Sequence, residues 1–250
     1  MKRLKSSEKL RLIWRSLWIQ VLLNYKTMQG AGYLHILWPW VKDSEHRANR
    51  VRRVSGFLNG HPVFSAFALG AMLKRLSDGD AESEPEEFDR WRDSLAGPLG
   101  MVGDSLIWER WKPALLALGV FLISFNILFN VVTSDVALLL VLLSLIILYN
   151  IPLFALRWWA LDESYEKGKA VLSLGGYPAL HSLQIGLDRF AAAVAACIAA
   201  FALLLVFLGF SWIGFSVSFV ITFALMQARV SVAVSVLLAL LASLIVSFFI

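Results

Sequence analysis

Two stretches of this chain, Ala114–Val132 and Val136–Leu156, contain no charged side chain, and only the polar turn Thr133-Ser134-Asp135 separates them. A helix needs about 20 predominantly apolar residues to cross the hydrocarbon core of a bilayer. Lipid cannot hydrogen-bond the backbone, so a chain at that depth is confined to helices or closed barrels. No strand-period alternation is sustained here, which argues against a barrel. Further apolar stretches lie near 190–210, 212–227 and 230–250. With 58% of its 250 residues hydrophobic and a mean hydropathy of +0.69, the chain is too apolar for an ordinary soluble domain. The expected fold is all-α: a polytopic helical membrane protein with broken or re-entrant helices.

The chain divides by character into a mixed region, 1–112, and a region dominated by membrane helices, 113–250. Lys2, Arg3, Lys5, Lys9, Arg11 and Arg15 crowd the start, and Arg47, Arg50, Arg52 and Arg53 form a second basic cluster. In so apolar a chain these point to anionic lipid and a cytoplasmic N-terminus, not to nucleic acid. Leu10, Ile13, Trp14, Leu17, Trp18 and Val21 gather at helical spacing, which predicts an amphipathic helix in the inner interface. Trp38, Trp40, Trp108, Trp111, Trp158, Trp159 and Trp212 are candidate interface anchors, with plain packing the equal alternative. The apolar run Val63–Leu73 is too short to span and reads as a half-span, a re-entrant arm or a packed helix. Residues 77–90, acidic and containing Pro85, read as a solvated, mobile loop.

Enzyme signatures are missing. There is no P-loop, no nucleophile elbow and no zinc-binding His pair. Cys197 is the single cysteine, too few for a disulfide or a thiolate cluster, and no metal or cofactor is expected. His35, His46, His61 and His181 are scattered. The stretch Gly97-Pro98-Leu99-Gly100-Met101-Val102-Gly103-Asp104-Ser105 is the best candidate for a solute path. Its glycines and proline predict a broken backbone, and Asp104 must find donors there. The alternative is that Asp104 caps a helix running from Ser105 to Trp111. Asn24, Gln29 and Asn59 are polar residues near glycines on apolar backgrounds, and Asn150 reads as a partner for carbonyls freed at a helix break.

NYKTMQGAG at 24–32, FLNGHP at 57–62 and AGPLGMVGDS at 96–105, followed by Tyr149-Asn150, Arg157, Tyr165 and Gly168, resemble the IID component of the mannose/fructose/sorbose family of bacterial phosphotransferase systems. The resemblance spans about 10–190. It implies a non-enzymatic membrane subunit of the bacterial inner membrane that forms, with a IIC partner, the permease for a hexose-type sugar. The resemblance further implies cytoplasmic IIA and IIB components that carry and transfer the phosphoryl group, and a trimeric hetero-oligomer. On this reading Asp104, Gly97, Gly100, Gly103 and Ser105 belong to the solute path. Asn24, Gln29, Asn59 and His61 support it or contact the partner. The chain departs from the family pattern at Lys26-Thr27, Gly60, Ala96, Gly100-Met101-Val102 and Lys74-Arg75. Lys26-Thr27 and Lys74-Arg75 raise an alternative, a regulatory or scaffolding subunit that has lost transport.

Overall fold

The computed structural model of the protein describes residues 4–129, 131–172 and 177–207. They are almost wholly helical. The apolar stretches expected at 212–227 and 230–250, and Trp212, lie outside the described residues. The chain forms two compact units: residues up to Trp108 together with Ile147–Gln184, and Glu109–Ile146 together with the chain from Ile185.

The first unit is built around α4, Ser65–Asp78. Nearly all of its residues from Ser65 to Leu76 are buried, which makes the short apolar run a packed core helix and settles the three-way alternative. Around it lie α1 (Ser6–Ser16), α2 (Gly30–Val41), α3 (Arg47–Val54), α5 (Asp80–Ser83) and α6 (Pro85–Ser94). The part of α9 (Asp135–Lys167) from Ile147 onward and the 3-10 turn Gly168–Leu172 complete the unit's core. Gly70 lets α4 and α9 meet: a Cβ there would stand 2.1 Å from Ser164 Oγ and 2.6 Å from the Leu161 carbonyl oxygen. Phe67, Trp159 and Tyr177 close edge to face beside this contact, with ring centroids 5.5–6.0 Å apart.

Residues 77–90 are not the expected loop. They end α4 and form α5 and α6. Pro85 opens α6, where its missing N–H is no loss. The acids are held by cations from elsewhere: Arg75 meets Asp80 at 2.7 Å, Arg50 meets Glu82 at 2.6 Å, and Arg53 meets Asp89. Arg50 and Arg53, expected to face lipid, are therefore spent on internal pairs. Lys9 likewise pairs with Asp162 at 2.5 Å. Arg15 donates to the Ile36 carbonyl at 3.1 Å and to the His35 carbonyl.

The N-terminal helix forms as expected but stops at Ser16. It has apolar residues on two sides. Leu12, Ile13 and Ile19 just beyond it are buried, whereas Leu10, Trp14, Trp18 and Val21 are exposed. Ile13 thus leaves the face predicted for it, because tertiary packing uses the opposite side.

The glycine-rich stretch is also helical, contrary to the broken backbone expected of it. Ala96–Gly103 forms α7 and Asp104–Trp111 continues as a π-helix. Pro98 falls in the first turn of α7, where its N–H would have no partner inside the helix. Asp104 has φ −63° and ψ −45°, so it continues a helix and caps none. The irregularity is a wide π turn, of the kind often found at functional sites.

The second unit contains α8 (Lys112–Phe129), the first part of α9 and the later part of α10 (Pro178–Phe207). Phe121, Phe125 and Phe129 pack on Phe201 at 5.3–6.2 Å. Asn126 holds the turn after α8 by accepting the Val132 N–H at 2.6 Å. Asp135–Val171 and Pro178–Phe201 are long and apolar enough to cross a membrane. Only 6% and 11% of their apolar windows are buried within the chain, which distinguishes them from the core helices of a soluble protein. α9 runs unbroken through Asn150 and Pro152, so Asn150 does not mark a helix end.

Candidate solute cleft

A cleft of about 250 Å3 opens in the first unit. Its polar lining is Gln20, His61, Tyr149, Asn150 and Arg157, against apolar walls that include Trp108. The volume lies just below the usual range of drug-sized ligand pockets, which limits an occupant to a monosaccharide-like solute.

His61 is placed by all three glycine-bearing motifs. Gln29 Nε2 donates to the Gly60 carbonyl at 2.7 Å, and the Gly60 N–H donates to Gln29 Oε1 at 3.2 Å. The Gln29 N–H also donates to the Leu58 carbonyl at 2.9 Å. These bonds join the 24–32 turn to the 57–62 turn. Met28, at φ +51°, supplies the left-handed backbone the first turn needs. From the other side Gly103 presses on the imidazole: a Cβ there would lie 2.2 Å from His61 Cβ. Trp108, one turn on in the π segment, meets the ring edge-on at 5.8 Å.

The hydrogen bonding of His61 specifies its tautomer. Nδ1 accepts the Val63 N–H at 3.2 Å, so the proton of the neutral ring sits on Nε2. Nε2 is buried and has no partner. The residue is 3% exposed and lies outside the two apolar spans. Burial, and then the Arg157 guanidinium, push it down to about 4, so the ring is neutral at pH 7. Arg157 is itself 8% exposed, and its Nε is buried without a hydrogen-bond partner. None of the lining residues carries a carboxylate.

Of the residues singled out from sequence, His61 lines this cleft, and Gln29 and Gly103 hold it in place. Ser105 lines a separate recess of about 170 Å3 with His181 and Gln184. Asn24 is exposed and closes its own turn, accepting the Lys26 and Thr27 N–H groups at 3.0 and 2.9 Å. Asn59 and Asp104 are exposed. Gly97 and Gly100 face open space, with nothing within 4 Å of a Cβ. Sequence reasoning missed Gln20, Trp108, Tyr149 and Arg157 as cleft residues. One signal was available: Tyr149, Asn150, Leu153, Phe154 and Arg157 recur at helical spacing, so an arginine shares a face with Asn150 below an apolar run.

Comparison with known proteins supports the motif assignment. The profile of the phosphotransferase-system mannose/fructose/sorbose family IID component matches residues 3–184. The mannose-specific IID component of Escherichia coli (strain K12) is 27% identical over 184 residues, covering 70% of this chain and 61% of that protein. The sorbose-specific IID component of Klebsiella pneumoniae is 24% identical over 183 residues, covering 70% and 62%. The chain thus spans less than two thirds of the length of these relatives. Among solved structures, a chain of the cryo-EM complex of the mannose transporter ManYZ with microcin E492 is similar, with a TM-score of 0.53 and 25% identity over 79% of this chain and 71% of that one. A second membrane-protein structure, 24% identical, has a TM-score of 0.60 over the same shares and supports the fold. The protein belongs to the IID-component family of mannose/fructose/sorbose phosphotransferase systems.

Proposed function

We propose that the chain is the IID-type permease subunit of a sugar phosphotransferase complex in the bacterial inner membrane. With a IIC subunit it forms the path of a hexose-type sugar, which a cytoplasmic IIB phosphorylates, IIA supplying IIB. The observation that carries this is the convergence of the three family motifs on His61 at the wall of a monosaccharide-sized cleft. The names of the relatives and the ManYZ structure point the same way. On this reading the subunit is not the phosphoryl carrier; the lone pair of His61 Nδ1 is taken up by the Val63 N–H.

The open face of α7 is where the IIC subunit docks. Gly97, Gly100, Met101 and Asp104 recur at helical spacing. The glycines face open space and Met101 is 70% exposed. Small residues on such a face let a neighbouring helix approach closely, and Asp104 then lies at the joint between the subunits. Asn59, exposed near the same motif, is a second contact, and the assembly is trimeric. The exposed Leu10, Trp14, Trp18 and Val21 face lipid at the cytoplasmic surface, with the N-terminus inside.

The test is reconstitution with cognate IIC and IIB, read as sugar uptake and sugar phosphorylation. Asp104→Ala is expected to lower uptake at least tenfold while the complex still assembles. Uptake at the parental rate would remove Asp104 from the path. Assembly without phosphorylation of any sugar by the parental complex would favour the scaffolding alternative. The departures that raised that alternative have structural roles: Thr27 Oγ1 accepts from Asn24 Nδ2 at 2.9 Å, and Arg75 pairs with Asp80.

A further inference from the structure

We infer that the His61–Arg157 cleft is an oxyanion subsite, taking the carboxylate or phosphate of a monosaccharide-sized solute or of a lipid headgroup. This rests on the reading of the cleft as a solute site and narrows its chemistry. The guanidinium of Arg157 is buried, and among the described residues it has neither an ion pair nor a hydrogen bond to Nε. A buried cation without a counter-charge is strongly unfavourable, and on a membrane helix it marks a site that expects a partner. No lining residue supplies the negative charge. The other buried cations of the first unit show the contrast: Arg75 has Asp80 at 2.7 Å and Arg92 has Asp89 at 2.9 Å.

The second donor is His61 Nε2–H, fixed as a donor because Nδ1 is already an acceptor. With Nδ1 already engaged, the His61 Nε2–H and the guanidinium can only donate toward the cleft. A bare carboxylate or phosphate oxygen offers only lone pairs, so it matches both. A neutral hexose could satisfy the hydrogen bonds but would leave the charge of Arg157 uncompensated. Gln20 and Asn150, which line the same cleft, suit the hydroxyls that accompany the anion on a sugar acid or sugar phosphate.

Equilibrium binding to the full-length protein in non-ionic detergent tests this, with radiolabelled glucuronate, inorganic phosphate, phosphatidylglycerol and glucose as separate probes. At least one oxyanion probe should bind, and glucose should bind at least tenfold more weakly. Glucuronate or phosphate binding identifies a soluble solute, whereas phosphatidylglycerol alone identifies a lipid headgroup. Arg157→Gln should weaken the bound oxyanion at least tenfold, as loss of a charge-assisted bond would. Arg157→Lys should restore most of it, and His61→Gln should weaken it severalfold. Arg157→Gln should also leave the unliganded protein at least as heat-stable as the parent, because it removes an uncompensated charge. If Arg157→Gln does not fold, the His61→Gln and Arg157→Lys measurements decide. Equal affinity for glucose and glucuronate, or oxyanion affinity unchanged in these variants, would overturn the subsite and leave the permease reading standing. Oxyanion binding here without sugar uptake by the reconstituted complex would do the reverse.

Discussion

His61 shows how much a single residue depends on its frame. Its ring is gripped by Gly103 on one face and Trp108 at the edge, and its backbone neighbour Gly60 is clamped by Gln29. The folded chain holds the imidazole neutral down to about 4, chiefly through burial, whereas the unfolded chain takes up a proton near 6.5. The unfolded state therefore binds more protons between those values. Stability is complete above pH 6.5 and falls as pH drops toward 4, by an amount on the order of 3 kcal/mol. Thermal midpoints measured across this window should decline for the parent protein and decline less for His61→Gln. Equal slopes would mean that another group dominates acid unfolding.

At the level of elements, the core is held by a close helix contact and by charges recruited across the sequence. A methyl at Gly70 meets the Leu161 carbonyl oxygen, part of a helix backbone that has little room to shift. Gly70→Ala should therefore destabilise the protein by about 1–3 kcal/mol, the usual penalty of overpacking, read as a lowered thermal midpoint in detergent. Arg75 is 1% exposed, lies over the Phe88 and Trp91 rings at 5.1 and 4.8 Å, and pairs with Asp80. Arg75→Ala removes the cation around which α5 and α6 fold and should destabilise by about 3 kcal/mol. Limited proteolysis should then cut within 77–90 well before the rest of the chain. Protection equal to the parent's would show that α6 is held by its apolar contacts alone.

For the whole molecule, the proposed sidedness follows the basic N-terminus. It places the 133–135 turn outside and the 157–167 end of α9 inside. A cysteine introduced at Ser134, with Cys197→Ala as background, should react with a membrane-impermeant thiol reagent in intact cells. One at Glu166 should react only after the membrane is opened. Reaction at 166 in intact cells, with protection at 134, would invert the topology. The two long apolar helices are little buried within the chain, which leaves most of their apolar surface for the bilayer.

Much of this was legible without coordinates. The unbroken apolar runs oblige a helical membrane protein, because hydrocarbon offers the backbone no hydrogen bonds. The ordered glycine, proline and asparagine motifs carry the family, because such residues mark particular turns and close approaches. Three things required the tertiary structure. The acidic run 77–90 reads as a loop until Arg50, Arg53 and Arg75 are brought to it. The 97–105 stretch reads as broken until Pro98 is seen in a first turn and the glycines on open or crowded helix faces. Arg157 reads as a marker of sidedness until folding sets it beside His61, some hundred positions earlier in the chain. Local patterns determine which elements can exist, because hydrogen bonding and periodicity act over a few residues. Charge pairing and cleft formation act between residues distant in sequence, and only the packed chain decides them.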